Sequence, residues 1–393
     1  MSLLAAIVGL AVLVLIHEAG HFVAARAVGM TPRKFYLGFG PPLVKRVRRG
    51  VEYGIGSIPL GGYVKIPGMN RPSAGELRKL LSPADQERLR APLARLDVAL
   101  EAEDDDAARA ACAELEPDLG ESRAWQELDM ALASDAYWRQ DTWRRLVVIS
   151  AGPAINLVFA IVLFTGLFMV SSVESTRTIA GVVKGTPAAA AHLHAGDTIV
   201  AIGGRPVSAD QVTGRIRATA GKPFTMTVDR HGRRVKIGPL SARLDGGAYR
   251  IGVEIVARSG PGQAPGAAFR NALGTTWGVT RDTVVGIAHL ARGRDTNQVS
   301  STVGIVRASQ QAWRDGVRQF LGVLGLISLA LGLLNLLPLL PLDGGHILIA
   351  LVEKLRGRTF RQGVYIRYSV VGLALLAVVM YIGLNNDLRN LGG

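Results

Sequence analysis

The chain has a single cysteine, Cys112, so no intrachain disulfide can form anywhere in its 393 residues. Charged residues are scarce at 19%, and acidic ones scarcer than basic: 31 Asp and Glu against 45 Lys and Arg, a formal net charge of +14. That excess invites a nucleic-acid reading, but the basic residues form no groove-sized cluster, and nucleic acid is not the expected partner. They flank apolar segments instead. Arg33, Lys34, Lys45, Arg46, Arg48 and Arg49 follow the first, and Arg144 and Arg145 precede the second. Lys354, Arg356, Arg358, Arg361 and Arg367 lie between the third and fourth. The first apolar stretch also lacks a basic n-region and runs past the length of a signal's apolar core, so it is expected to be retained.

What the chain has in plenty is apolar surface: 49% hydrophobic residues and a mean hydropathy of +0.26, too much for an ordinary soluble protein. Four stretches, 3–28, 146–170, 319–341 and 368–384, are long enough to cross a bilayer of about 30 Å. The basic flanks fall on one side of a four-span topology, which the positive-inside rule makes cytoplasmic. Both termini and the segment 171–318 are then expected outside.

The first stretch carries His17-Glu18-Ala-Gly-His21. On a helix, histidines four apart project from one face and can grip a single Zn²⁺, while Glu18 is placed to act as general base on a water. Two helix histidines can also be satisfied by hydrogen bonds alone. The apolar setting weighs against that, because ionisable groups at membrane depth are costly and usually functional.

After this span, Tyr36 to Leu43 and Val51 to Ile66 alternate strand-forming residues with glycine and proline, predicting a β-hairpin. At membrane depth such a hairpin is tolerable only where protein or a water-filled cavity satisfies its backbone. Ser73 to Trp138 is charged and alanine-rich and reads as a cytoplasmic helical insertion, with Glu101 to Asp106 as a solvated acidic face. Asn156 sits inside the second span, where an asparagine usually hydrogen-bonds a neighbouring helix. Residues 262–318 read as a helical connector returning to the membrane.

Segment 174–258 reads as a separate β-rich domain, with His231-Gly232 as a hairpin turn. Its run from Gly185 to Val207 resembles the PDZ domains of bacterial membrane and periplasmic proteases, and His192 and His194 there are expected to be exposed turn residues. The third span closes on Asn335-Leu-Leu-Pro338-Leu-Leu-Pro341-Leu-Asp343-Gly-Gly-His346. Its prolines and glycines predict a helix that breaks, freeing backbone groups to face a site. A two-histidine zinc helix with one position left for water lacks a third protein ligand, and Asp343 is the leading candidate.

Together these elements resemble the site-2 proteases, zinc intramembrane metalloproteases, in their bacterial form with one PDZ domain. The likeness rests on His17 to His21, Gly38-Phe-Gly-Pro41, Gly61-Gly-Tyr-Val-Lys65 and Asn335 to Gly345, in that order around the PDZ-like segment. The family pattern N-x-x-P-x-P-x-L-D-G is altered, because Pro341 stands one position late. The resemblance implies a polytopic α-helical membrane protein with four transmembrane helices, a membrane-associated β-hairpin region and one inserted PDZ-like α+β domain. The expected divisions are 1–69, 70–145, 146–173, 174–258, 259–318 and 319–393. It implies zinc held by His17, His21 and Asp343, with Glu18 catalytic. Asn335 and the edge Gly61, Gly62, Tyr63 and Val64 would hold the substrate backbone, and His346 would pack beside the site without ligating. Implied partners are single-span membrane proteins, such as anti-sigma factors trimmed by an upstream site-1 type protease, or remnant signal peptides. The implied location is the bacterial cytoplasmic membrane, with the PDZ-like domain outside and the zinc site towards the cytoplasm. A non-catalytic PDZ scaffold with a structural metal is the alternative. A zinc carrier would show polar residues along several spans, and the chain shows only the one cluster and Asn156.

Overall fold

A computed structural model of the chain describes residues 2–69, 78, 81–102, 104–120, 122–245, 248–293, 301–360 and 362–389. It divides into two compact units, residues 1–164 with 272–393, and residues 165–271.

The first unit opens with α1 (Ser2–Ala27), followed by β1 (Lys34–Arg48) and β2 (Val51–Lys65). Among the described residues, the short helices α2 (Pro83–Arg88), α3 (Arg90–Ala102), α4 (Asp105–Leu119) and α5 (Arg123–Leu132) come next. The long helix α6 (Thr142–Val170) leads towards the second unit. That unit contains β3 (Ser172–Val182), α7 (Pro187–Ala190), β4 (Thr198–Ile202), β5 (Arg205–Pro206), α8 (Gln211–Ala218), β6 (Phe224–Arg230) and β7 (Arg233–Leu240). Strands β8 (Arg243–Asp245), β9 (Ala248–Arg250) and β10 (Val253–Gly260) complete it. Among the described residues, the helices α9 (Pro265–Ala291), α10 (Thr302–Asp315), α11 (Val317–Asn335), α12 (Asp343–Arg356) and α13 (Gln362–Arg389) follow.

Among the described residues, α1, α6, α11 and Gly363–Leu388 within α13 are long and apolar enough to cross a membrane. The third span is shorter than its hydropathy predicts. The apolar run continues to 341, but α11 stops at Asn335, and Leu336 to Leu342 form turns before α12 starts at Asp343. Pro338 and Pro341 cannot donate helical hydrogen bonds, which a hydropathy profile does not register. Leu13 of α1 packs with Ala312 of α10 and with Phe320 and Leu324 of α11.

The expected hairpin is a bent, four-run ladder. Lys34 to Leu37 pair on one side with Glu52 to Ile55 and on the other with Gly62 to Lys65, while Val44 to Arg48 pair with Val51 to Ile55. Gly62 to Val64 therefore lie at one edge. Tyr36 stacks on Tyr63 at 5.3 Å, and its hydroxyl donates to Glu52 Oε1 at 2.5 Å.

The insertion is helical as expected and has its own core, built from Leu89, Leu93, Leu96, Leu115 and neighbours. Cys112 is a buried free thiol in that core, and burial pushes its pKa up to about 11. The acidic run is more than a solvated face. The Asp104 carboxylate accepts from the amides of Asp106 and Ala107 and so caps α4. Residues 70–77, which open the insertion, lie outside the described residues.

In the second unit the sheet runs β10-β3-β4-β6-β7, with β5 beside β4. Ile199, Met226 and Val228 are wholly buried between the sheet and α8 with Val212 and Ile216. Each such side chain contributes roughly 1.5–3 kcal/mol by burial. His231 (φ +54°) and Gly232 (φ +80°) make the β6–β7 turn, as the sequence suggests. His192 and His194 are exposed in a turn. Below that turn, two hydrogen bonds from the Arg230 guanidinium hold the Asp197 carboxyl below the usual carboxylate range.

Arg145 is not the surface flank its place before the second span suggests. It is buried in α6 and donates to Glu353 Oε2 of α12 at 2.6 Å. Glu353 Oε1 also accepts from the Phe360 amide at 2.6 Å and the Tyr365 hydroxyl at 3.2 Å. Glu353→Ala strands a buried guanidinium, so it is expected to lower unfolding free energy by about 3–5 kcal/mol. Reversible denaturation in mixed micelles measures this; an unchanged stability would show that the pair contributes nothing.

Candidate metal centre

The site begins with α1, where the i, i+4 spacing turns His17 and His21 to one face and both are buried. Asp343 is the first residue of α12, so its carboxylate sits where a helix N-terminus favours negative charge. The α12 start closes tightly on the turn before it. A Cβ on Gly344 would overlap the carbonyl oxygens of Leu336 and Leu337, and one on Gly345 would overlap the Leu340 amide. Two successive glycines therefore let Asp343 reach the histidines.

The geometry is compact. His17 Nε2 lies 3.2 Å from Asp343 Oδ2, His21 Nε2 lies 3.4 Å from the same oxygen, and the two Nε2 atoms are 3.3 Å apart. Among the described residues, these three are the one group of His, Cys, Asp or Glu side chains arranged to hold a metal ion. Tetrahedral zinc with ligands at about 2.0–2.1 Å spaces its donor atoms about 3.3–3.4 Å apart, so the triangle fits that ion. Asp343 Oδ2 is buried with no geometrically sound hydrogen bond among the described residues, which an ion would relieve.

The surroundings orient the rings. His21 Nδ1 is 2.8 Å from the Val148 carbonyl of α6, and His17 Nδ1 is 3.4 Å from Asn156 Nδ2 of the same helix. Gly152, between them on α6, makes room for His21, because a Cβ there would collide with the imidazole. Arg145 and Glu353 tie the helix that buttresses the histidines to the helix that carries Asp343.

Glu18 is half-buried beside His17. The backbone of Val64 lies beside its carboxylate, and a Cβ on Gly62 would stand 3.2 Å from Glu18 Cγ. The edge of the hairpin thus lies against the acid. Gly61 takes φ +81° as the chain enters that edge, and Tyr63 is held by its stack on Tyr36. Asn335 ends α11, and its Nδ2 donates to Leu331 O at 3.0 Å, within its own helix. Its amide keeps a second N–H and a carbonyl oxygen to offer. His346 is half-buried, its ring centre 6.2 Å from that of Tyr365, and its Nδ1 has no partner among the described residues. The sequence reading missed the part Arg145 and Glu353 play, and it left Asn156 without a named partner.

Known proteins resemble the chain over nearly its whole length. The chain is 29% identical over 409 residues to "Metalloprotease MmpA" of Caulobacter vibrioides, covering 97% of this chain and 93% of that protein. It is 28% identical over 422 residues to "Zinc metalloprotease RasP" of Oceanobacillus iheyensis, covering 97% of each. A family model described as "Peptidase family M50" matches residues 5–379. The chain therefore belongs to peptidase family M50, the site-2 protease family its sequence resembles, and it is a membrane metalloprotease.

Proposed function

We propose that the protein is a zinc-dependent intramembrane endopeptidase that cuts single-span membrane proteins within or beside the bilayer, its zinc held by His17, His21 and Asp343. The observation that carries this reading is the triangle of donor atoms 3.2–3.4 Å apart, built on helices of a chain with four candidate spans. Bound zinc supplies Lewis-acid chemistry, polarising the scissile carbonyl and bringing the pKa of a water to about 7. Glu18 takes a proton from the attacking water as the C–O bond forms, then gives it to the leaving amide nitrogen as the C–N bond breaks. A membrane-buried substrate is helical and must unwind first. The edge formed by Gly61, Gly62, Tyr63 and Val64 satisfies its freed backbone by strand addition, with Asn335 holding it from the other side. His346 packs beside the centre without ligating.

The β-rich unit is read as a PDZ-like domain facing outside the cytoplasmic membrane. Its support is the sheet capped by α8 and a groove of about 620 Å³ bordered by Val212, Ile216, Arg217 and the strand around Val253. Substrates follow from the family resemblance: anti-sigma factors trimmed by an upstream site-1 type protease, or remnant signal peptides. The insertion and the basic flanks lie on the cytoplasmic side, with the zinc site towards it.

Two experiments test this arrangement. Ser208 and Arg358 are exposed, and Cys112 is buried. In a Cys112→Ser background, a membrane-impermeant thiol reagent should label Ser208→Cys in intact cells and spare Arg358→Cys; the opposite pattern inverts the topology. For the PDZ-like unit, a size filter is expected in preference to an essential docking site. Replacing about 178–257 by a flexible linker should keep the zinc and allow cleavage of untrimmed substrates. A folded, zinc-loaded deletion that cannot cut even trimmed substrate would make the unit a docking element.

A further inference from the structure

We propose that Asn156 sets the tautomer of His17, presenting its side-chain oxygen, not its nitrogen, to the His17 Nδ1–H. The inference rests on the zinc reading above and concerns a residue that lies outside the ligand triangle. Asn156 is 0% exposed, in the middle of α6, where both ends of an amide need partners. Its Nδ2 is placed 3.4 Å from His17 Nδ1, and its Oδ1 has no hydrogen-bond partner among the described residues.

That placement carries a consequence for His17. If Nδ2 donates to Nδ1, the ring proton sits on Nε2 and points at Asp343 Oδ2, leaving no lone pair there for a metal. Zinc bound through Nε2 demands the other tautomer, with the proton on Nδ1, and only an acceptor can face it. Amide N and O have nearly the same shape, so half a turn about the last side-chain bond exchanges them. The turned amide gives Oδ1 the donor it lacks.

His21 shows the same logic already satisfied. Its Nδ1 faces the Val148 carbonyl at 2.8 Å, a group that can only accept, so Nε2 is free to ligate. Val148, Gly152 and Asn156 follow one another at four-residue spacing on α6. Two of them fix the rings, and the third makes room for one. Asn156 is itself held in register with α11 by the Ser328 hydroxyl, which donates to its backbone carbonyl at 2.9 Å. Metal-bound histidines almost always donate their second N–H to a carbonyl or carboxylate, and losing that partner typically weakens metal binding 10–100-fold.

The test compares zinc affinity, by competition with a chelator, in full-length wild type, Asn156→Leu and Asn156→Asp in detergent. The leucine fills the space without accepting and should weaken binding by about 10–100-fold. The aspartate can only accept and should bind as tightly as wild type or tighter, a rescue that a merely structural role would not produce. The aspartate result decides even where the leucine variant does not fold: a loss of tenfold or more overturns the proposal. So does wild-type affinity in Asn156→Leu. Failure of the underlying zinc reading looks different, since wild type would then bind no zinc, or His17→Ala would bind it equally well.

Discussion

Glu18→Gln is expected to abolish cleavage while the protein keeps about one zinc per chain, as an open three-ligand site requires. Glutamine has nearly the shape of glutamate, so it keeps the packing against Gly62. It cannot take the proton of the attacking water. A general base contributes about 10²–10⁴-fold on its own, and a larger loss is expected where no other group can replace it. The measurement is turnover of a tagged single-span substrate in vesicles, with metal content read from the same preparation. Normal turnover would remove Glu18 from the chemistry and favour a scaffold with a structural metal, which has no use for the acid.

Asp343→Ala is expected to lose zinc and activity together. The carboxylate supplies one corner of the triangle, and two imidazoles alone make a weak and exchangeable site. The loss in affinity should exceed the roughly 10–100-fold assigned to a partner outside the ligand set, which separates this variant from those at Asn156. Gly344 and Gly345 keep the α12 start against its turn, so the backbone should hold. Full zinc occupancy with full activity would place the third ligand elsewhere.

These expectations were largely legible in the sequence, for physical reasons. His17, Glu18 and His21 need only helical spacing to converge, and α1 supplies it. Asp343 could be singled out because a carboxylate closing an apolar run is costly without a partner. The end of the third span was not legible from hydropathy, since Leu336 to Pro341 is as apolar as the helix before it. The prolines gave the break, but not its residue. Arg145 could not be told from Arg144, because what buries it is Glu353, 208 residues later in the chain. Asn156 announced the need for a partner inside a span, but which helix answered was a matter of packing around Gly152. The hairpin was legible as strands. Its folding into a four-run ladder with Gly62 to Val64 at one edge was not, because register there depends on bulges that alternation does not encode.

The central claim is that two imidazoles and one carboxylate, drawn from α1 and α12, hold a single zinc that is open to water. X-ray absorption at the zinc edge of the purified full-length protein tests it most directly. The predicted spectrum shows a four-coordinate first shell at about 2.0–2.1 Å, with the multiple scattering of two imidazoles and oxygen for the rest. A sulfur shell at about 2.3 Å, or a zinc with no imidazole scattering, would contradict the account.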